Sequence, residues 1–203
     1  MTWGELYVEL KGWQTVIGSV LGFLALTWGA LYNYHLGRNR DDRIREREGH
    51  AVALALYSEI VHLRRDLAVL ANGVGRWYAA GGYNSLELPA HFLTSFRVPE
   101  PSVFEALKSK IGLLTADRLS QITAFYVELA NAKQYIPELV GGESKMVSYG
   151  AEWVIEPAIK AITSVERFIA EIELTEGLPR TAAPGLGKAQ EALDLANELK
   201  PDF

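Results

Sequence analysis

The sequence predicts an all-α protein: one N-terminal transmembrane helix followed by an antiparallel cytoplasmic helical bundle. Three observations carry that expectation. Residues Gly12 to Gly37 form a strongly apolar run without Asp, Glu, Lys or Arg. A dense arginine cluster follows at once: Arg38, Arg40, Arg43, Arg45 and Arg47. From Ala53 onward, apolar residues recur three and four apart, the period of a helix with one buried face, and no run alternates as a strand would.

The apolar run comes first. From Val16 to Tyr34 a helix rises roughly 28 Å at about 1.5 Å per residue, close to the roughly 30 Å of a bilayer's hydrocarbon core. Inside lipid every backbone polar group must be satisfied within the segment, so a single pass has to be helical. Trp13 stands at one end and Trp28, Tyr32 and Tyr34 at the other, where amphipathic rings settle at headgroup depth. The competing readings are a buried core helix and a cleaved signal peptide. The second lacks a positive leading region and a short apolar stretch ending at a small-residue cleavage site. Only Lys11 precedes the run, beside Glu5 and Glu9, whereas five arginines follow it. Positive flanks stay cytoplasmic, which predicts the N-terminus outside and the C-terminal domain inside. Within the run, Gly18, Gly22, Ala25 and Gly29 share one stripe, and Gly18–Gly22 is a GxxxG pair that allows a second helix to approach closely. Trp3, Leu6, Tyr7 and Leu10 share a face opposite Glu5 and Glu9, as in a short interfacial helix or a frayed terminus.

The remaining chain reads in order as follows. Charges of both signs alternate from Arg38 to Glu48, consistent with the membrane helix continuing into water. Ala53, Leu56, Ile60, Leu63, Leu67 and Leu70 then define a helix over 39–72, or on to Ala80. Gly73 to Pro101 is irregular, rich in glycine and proline but also in Trp77, Tyr78, Tyr83, Phe92 and Phe96, which pack back on the bundle; a short helix fits 89–96. Ser102 and Glu105 form a capping-box pair for a short helix ending before Gly112. Thr115 or Asp117 caps the next, with Ile122, Phe125, Leu129, Ala132 and Ile136 buried and an end near Pro137. Gly141–Gly142 turns the chain and Ser144 caps a helix striped by Val147, Ala151, Val154, Ala158, Ile162, Val165, Ile169 and Ile172, with a kink or restart at Pro157. Leu178 to Gly187 is a Pro/Gly linker before a detached terminal helix (Ala189, Leu193, Ala196, Leu199). The expected organisation is a short extracytoplasmic segment 1–12, a transmembrane helix 13–37, a bundle domain 38–177, and a linker with C-terminal helix 178–203.

Composition narrows the function classes. The chain has 203 residues, so the part beyond the span, about 165 residues, suffices for one domain with a modest core. It contains no cysteine, which removes disulfides and thiolate metal sites. The formal charge is −5, and setting aside Lys11, Glu5 and Glu9 leaves −4 from Arg38 onward. A mildly acidic domain is a poor partner for nucleic acid. The arginine cluster remains suited to anionic headgroups.

Chemical motifs fail on inspection. Glu59 and His62 form one Glu-x-x-His, but a di-iron bundle needs two such pairs and two further glutamates. Both residues flank the apolar stripe, which predicts a surface position. Gly185-Leu186-Gly187-Lys188 lacks the P-loop spacing and its hydroxyl ligand. Histidines occur only at 35, 50, 62 and 91, none at a turn that would expose a nucleophilic serine. Glu166, Glu171, Glu173 and Glu176 read as the solvated side of a helix.

Several pieces, however, resemble a loose group of uncharacterised bacterial single-pass membrane proteins. They are Trp13-Gln14-Thr15, Asn33-Tyr34, Arg40-Asp41-Asp42-Arg43, Val103-Phe104-Glu105-Ala106-Leu107 and Lys110-Ile111-Gly112-Leu113-Leu114. The resemblance implies an N-terminal anchor with a helical cytoplasmic domain and says nothing about catalysis. The resulting expectation is a non-enzymatic protein of the bacterial inner membrane. It would have no cofactor and no evident small-molecule substrate. Its partners would be the lipid bilayer and either another membrane protein or a second copy of itself. A membrane-tethered signalling or stress-response module is the alternative.

Overall fold

The structure is a computed structural model that describes residues 3–81, 88, 91–140 and 147–198. Every regular element among them is helical: α1 (Trp3–Gly81), α2 (His91–Ser95), α3 (Ser102–Leu107) with a 3-10 continuation (Lys108–Leu113), α4 (Ala116–Val140), α5 (Val147–Ser164), α6 (Glu166–Glu176) and α7 (Gly187–Glu198). The Gly141–Gly142 turn, the Ser144 cap, Tyr83, Pro89 and Leu199 lie outside the described residues, as do the side chains of Leu6, Tyr7, Leu10 and Val147. Two compact units divide the chain, Met1–Glu48 and Gly49–Phe203, and α1 contributes to both.

The first unit is helix throughout its described length, and from Val16 to Glu48 every residue is exposed. The second unit holds the core. Ala53, Leu56, Ile60, Leu63, Leu67 and Leu70 are all buried, as the spacing predicts, and α1 continues past them with Val74 and Tyr78 also buried. The expected irregular stretch therefore does not begin at Gly73. Gly73 and Gly75 lie inside the helix, where they admit close neighbours. A Cβ on Gly75 would lie 2.4 Å from the carbonyl oxygen of Lys188 at the start of α7. Phe92 is buried and Trp77 and Phe96 pack on the core, as their aromatic character requires.

Helix α4 buries Ile122, Phe125, Leu129, Ala132 and Ile136. It runs three residues beyond its expected end at Pro137, which removes one N–H donor near the terminus but does not stop the helix. Pro157 likewise lies inside α5 and is not the restart point. Ala151, Val154, Ile155, Ala158, Ala161 and Ile162 are buried on either side of it, and this packing outweighs a proline cost of about 3 kcal/mol. The restart falls at Val165, with φ −105° and ψ 5°. There the side-chain oxygen of Gln121 on α4 accepts the Phe168 N–H at 2.8 Å and satisfies the first turn of α6. Helix α6 stops at Gly177, whose φ of 63° favours glycine, and Leu178 N–H returns to Glu173 O at 2.9 Å.

Candidate membrane segment and buried polar anchors

Among the described residues, one helix is long and apolar enough to cross a membrane, near the N-terminus, and its qualifying stretch is wholly exposed. Trp13, Val16, Ile17, Val20, Leu21, Phe23, Leu24, Leu26, Trp28 and Leu31 all stand open along it. A core helix of a water-soluble protein hides its apolar face, whereas large contiguous apolar exposure marks an interaction surface. Gly18, Gly22 and Gly29 have no atom within 4 Å of where a Cβ would sit, and Ala25 is exposed. That stripe is therefore unfilled among the described residues. Thr27 satisfies its hydroxyl by donating to Phe23 O at 2.8 Å, the usual way a polar side chain is accommodated on an apolar helix.

The five arginines continue the same helix, and all are exposed. Leu36, Asn39, Arg40, Arg43, Ile44 and Arg47 line a common open groove, and at about 100° per residue Arg38 and Arg45 fall on the opposite side of the helix.

The second unit contains three polar anchors that the sequence did not reveal. The first is Glu59, half-buried rather than on the surface. Its Oε1 accepts Val103 N–H at 2.7 Å, and its Oε2 accepts Phe104 N–H at 3.0 Å and the Tyr126 hydroxyl at 2.7 Å. It thus replaces the expected capping box: no local side chain caps α3, and Glu105 instead pairs with Lys108 at 2.6 Å. Phe104 stacks on Tyr126 with ring centroids 3.9 Å apart. Burial and the bond to Glu59 push the Tyr126 phenol far above its ordinary range, so it remains a donor. With both oxygens engaged and His62 exposed, the Glu-x-x-His has a packing role. Thr115, one of the two expected caps of α4, accepts Arg118 N–H at 3.5 Å.

The second anchor is Glu173, which is buried and not on a solvated face. Its Oε1 accepts the Tyr57 hydroxyl at 3.1 Å and Thr181 N–H at 2.9 Å. Burial pushes its carboxyl up, but the Thr181 and Tyr57 bonds and the charge of Arg64 outweigh it and hold the group below the usual carboxylate range. Arg64 is buried as well and donates to Ala182 O at 3.4 Å. Burial lowers its pKa, opposed by Glu166 and Glu173. The neighbouring glutamates are also engaged: Glu171 with Arg118 at 2.7 Å and Glu176 with His50 at 2.8 Å.

The third anchor is Asn72. Its amide nitrogen donates to Ala68 O and Gly185 O, and its oxygen accepts Lys188 and Ala189 N–H at 3.1 and 3.2 Å. Asn72 is thereby the N-cap of α7, supplied from α1. The terminal helix is consequently docked, not detached, with Ala189, Ala192 and Ala196 buried.

Among the described residues no group of three His, Asp or Glu is placed to hold a metal ion. Fold and exposed segment together define the class: an all-α protein with one helix long and apolar enough to cross a membrane. Comparison with family models, curated proteins and solved structures finds no match.

Proposed function

We propose that this chain is a single-pass protein of the bacterial inner membrane, inserted through residues 13–37 with its N-terminus outside. The cytoplasmic helices form an antiparallel bundle and act without catalysis, as an accessory subunit or scaffold through helix–helix contacts. The observation that carries this reading is the unburied apolar stretch of α1, flanked by aromatic rings and followed by arginines. The open small-residue stripe of Gly18, Gly22, Ala25 and Gly29 supplies a packing face for a partner helix. The three anchors join α1 to α3, α6 and α7 and engage their polar side chains in packing, which suits a binding module.

The test is fractionation of lysed cells followed by alkaline extraction. The full chain should pellet with membranes and resist extraction. Protease added to inside-out vesicles should then digest the C-terminal domain and spare the N-terminal tag. Recovery in the supernatant without detergent refutes insertion, and protection of the domain refutes the orientation. Copurification in gentle detergent identifies a partner subunit or leaves self-association. One observation favours the alternative, a tethered signalling module: the apolar stretch and the stripe buried in the core belong to one helix, Trp3–Gly81. That alternative requires cross-linking along 39–72 to change with an external stimulus.

A further inference from the structure

The segment that leads to α7 crosses the second unit as an extended strap. No turn or bend interrupts the chain from Leu178 to Leu186. Near its start, Thr181 donates its N–H to Glu173 Oε1 at 2.9 Å and meets the Tyr57 hydroxyl at 3.4 Å. Near its end, Gly185 O accepts from the Asn72 amide at 2.7 Å. Tyr57 and Asn72 stand fifteen residues apart on α1, about 22 Å along its axis. Thr181 and Gly185 are four residues apart and span at most about 14 Å. The side chains of Tyr57 and Asn72 bridge the remainder, and the strap itself runs near full extension. What holds it is mostly main chain: Arg64 and Asn72 donate to the carbonyls of Ala182 and Gly185, and Asn72 accepts the N–H groups of Lys188 and Ala189. Helix α7 itself buries three alanines, Ala189, Ala192 and Ala196, with Leu193 and Leu195 only partly covered.

We infer that α7 is an exchangeable arm: its seat on α1 takes the α7 of a second copy of this chain, and the reciprocal exchange pairs two helical domains. Two observations point there. An arm held by main-chain bonds and alanines withdraws little apolar surface when it leaves, and a short hinge with no slack favours exchange, because in trans the strap need not follow one stretched path. The seat is also specific. Gly75 admits only a helix that brings its backbone close, and Asn72 needs a carbonyl before that helix and two free N–H groups at its start. A second copy carries that sequence by identity, so exchange restores the same bonds without a new interface. All these residues lie in the second unit, so the inference holds whether or not residues 13–37 insert in lipid. It gives the self-associating form of the scaffold a contact surface.

The chain has no cysteine, so a reporting pair can be introduced cleanly. Arg76, next to Gly75, and Lys188 are both exposed. Two differently tagged full chains, one carrying Arg76→Cys and the other Lys188→Cys, are co-expressed, extracted in mild detergent and treated with a short bis-maleimide. A link between the two tags should form, and Arg76→Cys/Lys188→Cys in one chain should link as the control for the chemistry. No link between copies while that control links overturns exchange. Equal linking of Arg76→Cys to a copy carrying Lys108→Cys, on the 3-10 continuation of α3, overturns the seat as the contact. Deleting Ala182 and Ala183 leaves Thr181 and Gly185 two residues apart, at most about 7 Å, too short to reach Asn72 in the same chain. The link between copies should then become the main product, with the α7 amides still protected from hydrogen exchange. Unlinked monomers overturn the inference whether their α7 is protected or not. Four Gly/Ser residues inserted after Ala183 keep the seat intact and should make the link between copies a minor product; an undiminished link overturns the role of the stretched hinge, and this variant decides the matter if the deletion does not fold.

Discussion

Gly75→Ala is the sharpest test of how the terminal helix is held. In the interior of an exposed helix, alanine is better than glycine by about 1 kcal/mol, so helix propensity alone predicts a gain. The structure predicts a loss. The new Cβ would sit 2.4 Å from Lys188 O, 2.8 Å from Lys188 C and 3.0 Å from Ala189 Cα. All three are main-chain atoms and cannot rotate aside as a side chain would. Overpacking of this kind costs about 1–3 kcal/mol. Displacing α7 also lengthens the bonds from Lys188 and Ala189 N–H to Asn72, a cap of about 1 kcal/mol. The net is a destabilisation of about 1–3 kcal/mol after the propensity gain is set against it. Hydrogen exchange of α7 amides on the full chain in mild detergent reads this directly: a 2 kcal/mol loss raises local opening roughly 30-fold. Gly73→Ala is the control. Its Cβ would meet only the rings of Phe92 and Phe96 at 3.0–3.2 Å, which can rotate, so its effect on α7 should be much smaller. A Gly75→Ala protein with slower α7 exchange than wild type would refute the close approach of the two helices.

Three further outcomes follow from the same geometry. Glu59→Ala strands two backbone N–H groups and a buried phenol, and should cost about 3 kcal/mol in denaturant unfolding, and Glu59→Gln should recover only part of it, because its one amide oxygen replaces two acceptors and its NH2 faces a donor; no loss in Glu59→Ala would mean that the hydrogen bonds are incidental. Glu173 has its carboxyl depressed in the fold, so it contributes stability above the ordinary carboxylate value of about 4.3, and that contribution disappears as pH falls through the lower folded value. Glu173→Gln should therefore be less stable at neutral pH and show a shallower loss on acidification, read from the denaturant midpoint; an unchanged slope would remove Glu173 from the acid response. Gly22→Ile places a branched side chain on the open stripe and should weaken association in detergent or bilayers, whereas unchanged assembly removes that stripe from the contact.

The sequence was most legible where burial follows a single helical period. Every residue of described burial expected on the core stripes of α1 from Ala53 onward, α4, α5 and α6 is buried, because a helix hides a face whatever it packs against. Polar roles were illegible for a related reason. The partners of Glu59 are 44 and more residues away, Tyr57 meets Glu173 across 116, and Asn72 reaches α7 across a similar distance. No local spacing encodes such pairs. A glutamate beside an apolar stripe looks the same whether it faces water or another helix's first turn. The prolines failed differently: propensity gave their cost correctly, but buried neighbours on both sides of Pro157 set the outcome. The signal that the terminal helix is docked lay in Gly75, a glycine inside a helical period, which marks close approach as readily as it marks a break.

The two open stripes of the first unit constrain each other. Gly18, Gly22, Ala25 and Gly29 fall on the same arc, roughly 60° wide, as Arg40, Arg43 and Arg47; Gly22, Gly29, Leu36 and Arg43 are successive sevens. A helix that packs on the small residues and stays alongside faces, a few turns on, Arg40, Arg43 and Arg47, with Glu46 three residues from Arg43. A second copy inserted in the same orientation presents the same three charges at the same depth, and like charges in register oppose pairing. A partner with acidic residues after its span, or anionic lipid lying between the two helices, relieves that repulsion. On the proposed insertion, that repulsion would work against a self-paired scaffold in a bilayer poor in anionic lipid. R40Q/R43Q/R47Q tests this: with the charges gone, the full chain in phosphatidylcholine vesicles should shift towards dimers through the unchanged small-residue face, measured by energy transfer between labelled copies. No increase in pairing would mean that the arginines do not set the choice of partner.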